Sequence, residues 1–94
     1  MFTHALMFKF RDPEVCAEEV GRRLLALQPH LTGLVSMSYN TDLLRTKRSY
    51  DALLCVAFED EASYRAYDAD PEHNKAREYI HEHVVESHTV DFIS

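Results

Sequence analysis

The chain has 94 residues, 46% of them hydrophobic and 28% charged, a size and balance that fit one compact soluble domain over residues 1–94 and leave no room for two. Sixteen acidic against ten basic residues give a net charge of −6, and such a surface repels the phosphate backbone that dominates nucleic-acid affinity, so no nucleic-acid partner is expected. No apolar run approaches the roughly 20 residues of a membrane-spanning helix, and the opening Met1-Phe2-Thr3-His4 lacks a leader pattern, so a cytoplasmic protein with no membrane partner is expected.

Phe2 to Phe10 alternates, with Phe2, His4, Leu6, Phe8 and Phe10 on one side and Thr3, Ala5, Met7 and Lys9 on the other, the period of a strand. Asp12-Pro13 starts a helix, Asp as the cap and Pro at the first position, where its missing N–H costs nothing. Ala17, Val20, Leu24, Leu27 and Leu31 form its apolar stripe, and it is expected to end near Pro29. Leu34 to Asn40 alternates again, Val35, Met37 and Tyr39 opposite Leu34, Ser36 and Ser38, and reads as a second strand. Thr41 to Ser49 carries Arg45, Lys47 and Arg48 without a period and reads as a mobile connection.

Tyr50 to Phe58 is apolar on both faces and rich in strand formers, as a central strand should be. Asp60 caps a short helix containing Ala62, Ala66 and Tyr67, and Asp70-Pro71 breaks and restarts it, since the residue before proline is pushed out of helical geometry. In the second helix Ala76, Tyr79, Ile80, His83 and Val84 share a stripe, and three positions back the same face carries His73. Thr89 to Ile93 gives a short closing strand with Val90 and Phe92 on one face.

This order is the ferredoxin-like βαββαβ pattern of the α+β class: a four-stranded antiparallel sheet with helices on one face. The other face carries Ala5, Met7, Val35 or its neighbours, Leu53, Cys55 and Ala57, too apolar to stay wet, so two sheets are expected to pair back to back in a homodimer. Cys16 and Cys55 make no CxxC pair and read as reduced, buried or half-buried small residues. No metal site is expected among the six histidines, because His81 and His83, two apart on a helix, point about 200° apart.

His4 faces the helix layer, and the stripe that carries His73 turns it inward. Each reads either as a core histidine bonded to a buried partner or as half of a polar pair in an apolar ligand site. The first turn of a helix favours neutral imidazole at His73, while Glu72 and Asp70 oppose it, so the direction of its shift is open. Tyr67 reads either as an aromatic packed on the sheet or as a donor to a carbonyl or enolate oxygen.

The segments His4-Ala5-Leu6-Met7-Phe8-Lys9-Phe10-Arg11-Asp12, Gly33, Tyr50-Asp51, Phe58-Glu59-Asp60, Tyr67-Asp68-Ala69-Asp70-Pro71-Glu72-His73 and Val90-Asp91-Phe92 together resemble the stress-responsive A/B barrel domain, a family of dimeric α+β barrels. The resemblance implies a homodimer with a cavity for a small, largely apolar molecule between sheet and helices in each subunit. In the olivetolic acid cyclase branch a histidine on the first strand, a tyrosine and a histidine after the helix break run an aldol cyclisation. His4, Tyr67 and His73 fall on those positions, although Asp70 stands where that branch has a histidine. The implied chemistry is proton transfer beside a carbonyl with no cofactor, His73 the base, Tyr67 polarising the carbonyl and His4 orienting the enolate. Leu6, Phe8, Leu54, Val56 and Ile80 are the apolar residues expected to contact the ligand. A non-catalytic stress-response dimer is the alternative. With no Trp in the chain, the tryptophan-containing site of the related haem-degrading monooxygenases is absent.

Overall fold

The computed structural model describes residues Met1–Ser94. Its elements are β1 (Phe2–Phe10), α1 (Pro13–Leu25), one 3-10 turn (Gln28–His30), β2 (Leu34–Thr41), β3 (Ala52–Phe58), α2 (Glu61–Asp68), α3 (Pro71–His83) and β4 (Val84–Ile93). The strands lie in the order β2-β3-β1-β4 and every neighbouring pair is antiparallel, the ferredoxin-like arrangement. No helix is long and apolar enough to cross a membrane.

Strand alternation divides the sheet cleanly. Phe8 and Phe10 of β1 and Leu54, Val56 and Phe58 of β3 meet Val20 and Leu24 of α1 and Ala76 and Ile80 of α3 in one core. Gly21 lets α1 approach β2, since a Cβ there would collide with the Tyr39 ring, and the Tyr39 hydroxyl donates to the Ala17 carbonyl at 2.7 Å. On the other face Met7, Leu53, Val90 and Phe92 remain exposed, with Ala5 and Cys55 half-buried between them. That face has no helix of its own.

Several elements differ from their sequence reading, each for a local reason. α1 stops at Leu25 rather than near Pro29, because Pro29 has no N–H for the Leu25 carbonyl and its ring crowds that group; Leu27 still reaches the core from the turn beyond. Asp12 precedes α1 but makes no side-chain cap bond. Its carboxylate is turned instead towards His83, with Oδ1 3.6 Å from Nδ1. In β2, Leu34 pairs with Phe58 but Ser36 pairs with Ala57, so Val35 is the extra residue of a bulge. Leu34, Met37 and Tyr39 therefore pack on the core, and Val35 stands apart from Met37 and Tyr39 instead of sharing their side.

β3 begins at Ala52, because Tyr50 and Asp51 do other work. The Asp51 carboxylate is buried, accepting the Phe10 N–H at 2.7 Å through Oδ2 and the Arg45 guanidinium at 2.7 Å through Oδ1, which ties the Asp42–Ser49 connection to the end of β1. β4 is the largest departure. It runs from Val84 rather than Thr89 and pairs along all of β1, Phe2 opposite Ile93 and Phe10 opposite Val84, with an irregularity between Lys9 and Phe10. Val84, expected on the helix stripe, has extended backbone and closes α3.

Candidate functional site

Between the sheet and helices α2 and α3 lies a cavity of about 280 Å³ whose apolar floor includes Leu6, Phe8, Leu24, Leu54 and Ile80. His4, Tyr64, Tyr67 and His73 form its polar wall, and Asp68 and Arg77 stand at one side. A wider groove of about 560 Å³ runs between α1 and β2, but its lining of Glu18, Glu19, Arg22 and Asn40 is that of an open polar surface. Apolar enclosure and convergent polar groups, the composition of a ligand site, occur in the smaller one.

His4 enters from β1. In the sheet register it stands opposite Asp91 of β4, and its Nδ1–H donates to Asp91 Oδ1 at 2.5 Å. The carboxylate accepts only, so it assigns a proton to His4 Nδ1 and leaves Nε2 as the ring nitrogen not engaged by Asp91.

His73 arrives from the helix break. Asp70 has an extended backbone, and its Oδ1 accepts the N–H groups of Glu72 at 2.8 Å and His73 at 3.2 Å. This cap starts α3 with His73 in its first turn, turned back over α2. Its ring stacks on Tyr67, centroids 4.0 Å apart and planes 14° from parallel, and its Nδ1–H donates to the Tyr67 carbonyl at 2.9 Å. Arg77 Nη2 lies 3.4 Å from the same nitrogen, but a guanidinium donates only, and it is held by Asp68 at 2.7 Å and Asn74 at 2.9 Å. The carbonyl is thus the partner of Nδ1. Burial pulls the His73 pKa below its ordinary value; the Tyr67 carbonyl opposes this and the Arg77 charge reinforces it. His73 is neutral at pH 7, with its lone pair on Nε2.

Tyr67 is almost wholly buried, and its hydroxyl is shielded from solvent without a hydrogen-bond partner. Burial drives its pKa well above that of an ordinary phenol, so it is a neutral O–H with nothing to donate to. Tyr64, one turn earlier, completes an aromatic wall, 4.8 Å from the Phe2 ring and 4.9 Å from His4 between centroids.

Of the residues singled out from the sequence, His4, Tyr67, His73, Leu6, Phe8, Leu54 and Ile80 line this one cavity. Val56 is fully buried in the core and lies off its wall. Tyr64, Asp68, Arg77 and Asp91 were not singled out as site residues. Tyr64 was within reach, being three residues before Tyr67 and so on the same helix face. Asp91 alternates with Val90 and Phe92 and so faces the helices, but only the pairing with β1 brings it to His4.

A ferredoxin-like α+β domain with a cavity between sheet and helices, walled by two imidazoles and two phenols, is the class that fold and site define. Residues 2–94 match the stress responsive A/B barrel domain, and the chain belongs to that family. Among solved structures it is similar to a dimeric protein of unknown function and ferredoxin-like fold from Bacteroides fragilis, with 18% identity over 99% of this chain and 95% of that one and a TM-score of 0.89. A dimeric ferredoxin-like protein of unknown function from Thermobifida fusca shares 24% identity over 99% of this chain and 90% of that one, TM-score 0.86. The hydroxynitrile lyase of Passiflora edulis has the same fold at 10% identity, covering 99% of this chain and 92% of that one, TM-score 0.84. No protein of curated function matches the sequence.

Proposed function

We propose that the protein is a homodimer in which each subunit binds a small, largely apolar carbonyl compound between sheet and helices and catalyses proton transfer beside its carbonyl, as in an aldol cyclisation or a lyase reaction. The observation that carries the reading is the Tyr67 hydroxyl, a buried donor without an acceptor on a wall it shares with two histidines whose Nδ1 positions are both engaged. Leaving such a group unpaired costs about 1–3 kcal/mol. A ligand carbonyl oxygen relieves that cost.

The roles follow from what backs each group. Asp91 stabilises positive charge on His4, so Nε2 of His4 is the better placed to take a proton from the carbon next to the carbonyl. Tyr67 donates to the carbonyl oxygen as negative charge develops there. Burial and Arg77 keep His73 neutral, and its Nε2 accepts a hydrogen bond from the substrate. This exchanges the roles that the resemblance implied for the two histidines. The proton returns from His4 to carbon or oxygen after the new bond forms or the old one breaks. That the Passiflora protein of the same fold is a lyase supports a catalytic use of this architecture.

The homodimer rests on the open sheet face, where Met7, Leu53, Val90 and Phe92 would cover one another across two copies, and on the description of two of the similar structures as dimeric. Native mass spectrometry of freshly purified protein tests both parts. The expected spectrum is a dimer that retains a small molecule, released on acid denaturation and lost in His4→Ala. A monomer overturns the assembly. A ligand-free dimer that also binds no 1,3-dicarbonyl compound in solution leaves the non-catalytic dimer as the function.

A further inference from the structure

Beyond the cavity a second set of reactive side chains converges, at the junction of α1 with the end of α3. Asp12 lies just before α1, Cys16 one turn further along it, and His83 ends α3. One ligand atom from each, a carboxylate oxygen, the thiol sulfur and an imidazole nitrogen, lie within 4.8 Å of one another. Arg11 holds the three there: its N–H donates to the His83 carbonyl at 2.8 Å and its guanidinium to the Glu82 carbonyl at 3.0 Å, clamping the start of α1 to the end of α3.

None of the three spends the polar atoms of its side chain on the fold. Cys16 is fully buried. Asp12 Oδ1 is shielded from solvent and accepts no hydrogen bond, although Asp12 occupies the position from which a carboxylate ordinarily caps a helix. His83 Nδ1 is 3.6 Å from that oxygen, too far for a good hydrogen bond but close to the roughly 3.3 Å that two ligands with bonds of about 2.0 Å subtend on a tetrahedral ion.

We propose that Asp12, Cys16 and His83 form a three-ligand site for Zn²⁺, with a water as the fourth ligand on the partly exposed side of Asp12 and His83. The donor set selects the metal class. One sulfur, one nitrogen and one oxygen suit a borderline-soft ion at four-coordinate geometry, whereas Mg²⁺ and Ca²⁺ demand several oxygens and find one side chain supplying them. Binding converts the thiol to a thiolate and releases its proton to solvent, so two anionic ligands face a dication. Their charge outweighs the half-charge of the α1 N-terminus, which by itself repels cations. Closing the site requires the sulfur to move by roughly 1 Å towards the other two, a distance set by the ~2.3 Å zinc–sulfur bond. The site is independent of the cavity, since none of the three residues lines it.

The test uses the full-length protein, stripped with a chelator and titrated with Co²⁺ as a spectroscopic stand-in. The expected result is one Co²⁺ per chain, with a thiolate-to-cobalt charge-transfer band in the near ultraviolet and the visible bands of a tetrahedral ion, all displaced by Zn²⁺. Cys16→Ser should abolish the charge-transfer band, and Cys55→Ser should keep it. Because Cys16 is buried, His83→Gln provides a second variant at a partly exposed position, expected to weaken Co²⁺ binding by about tenfold or more. Failure to bind Co²⁺ stoichiometrically, a spectrum without the thiolate band, or a band that survives Cys16→Ser overturns the proposal and leaves an Asp12–His83 ion pair.

Discussion

Leu53 and Leu54 are consecutive residues of β3 with opposite surroundings: Leu54 is 1% exposed beneath the helices, and Leu53 is 40% exposed on the bare side of the sheet. The two faces they represent divide the labour of this small domain. The covered face holds the core and the polar wall of the cavity, so its residues are committed within one chain. The bare face carries apolar side chains that nothing in the chain covers, and the proposed dimer would bury them against a second copy. Substitutions at neighbouring positions should therefore fail in different ways.

The largest effect is expected on the covered face. Leu54→Ala should lower the unfolding free energy by about 4 kcal/mol, the range of buried leucine truncations, in a urea melt. A loss below about 1 kcal/mol would show that this part of the core collapses around the gap. On the bare face, Leu53→Arg should leave each subunit folded but weaken the dimer by on the order of 3 kcal/mol, roughly a hundredfold, read by sedimentation over a dilution series. Equal sedimentation of variant and wild type would take Leu53 out of the interface.

Within the covered face the comparison sharpens to chemistry against packing. Tyr67→Phe removes a hydroxyl that has no partner, so the melting transition should stay or rise while turnover of a carbonyl substrate falls by about a hundredfold, the scale of a lost oxyanion donor. A destabilised variant would mean that the hydroxyl is bonded in solution. Asp70→Ala should cost about 1 kcal/mol by uncapping α3 and should loosen His73, whose N–H shares the cap.

The smallest effect is one of pH. The folded-state pKa of His73 is depressed, so the unfolded chain binds more protons there once the pH falls towards its ordinary value of about 6.5. The contribution of His73 is complete above that value and declines as the pH drops towards the folded pKa. His73→Gln should flatten the stability profile in this window, measured by denaturant melts between pH 5 and 7.5, and an unchanged slope would assign the acid sensitivity elsewhere.

The elements with a strong period were legible in the sequence: the alternation of β1 and β3, the stripe of α1, and the break at Asp70-Pro71, where proline and cap act through their immediate neighbours. What escaped depends on partners far along the chain. Glu86, Ser87 and His88 fall before the closing strand read from Thr89, because they carry no apolar alternation, and only pairing with β1 makes them strand. The bulge at Val35 is invisible to a two-residue period, which it breaks by one. His4 and His73 could be aimed inward from their own elements, but the partners that set their tautomers, Asp91 and the Tyr67 carbonyl, belong to tertiary structure.

The pairing of β1 with β4 has a consequence for the order in which the molecule becomes competent during synthesis. His4 leaves the ribosome 87 positions ahead of the carboxylate that orients it. Until β4 emerges, β1 can pair only with β3, and one wall of the cavity is missing. A nascent chain thus holds its imidazole untethered until β4 emerges, and the His4–Asp91 contact closes only when that strand joins the sheet. Completion of the sheet and orientation of His4 are in this sense a single event.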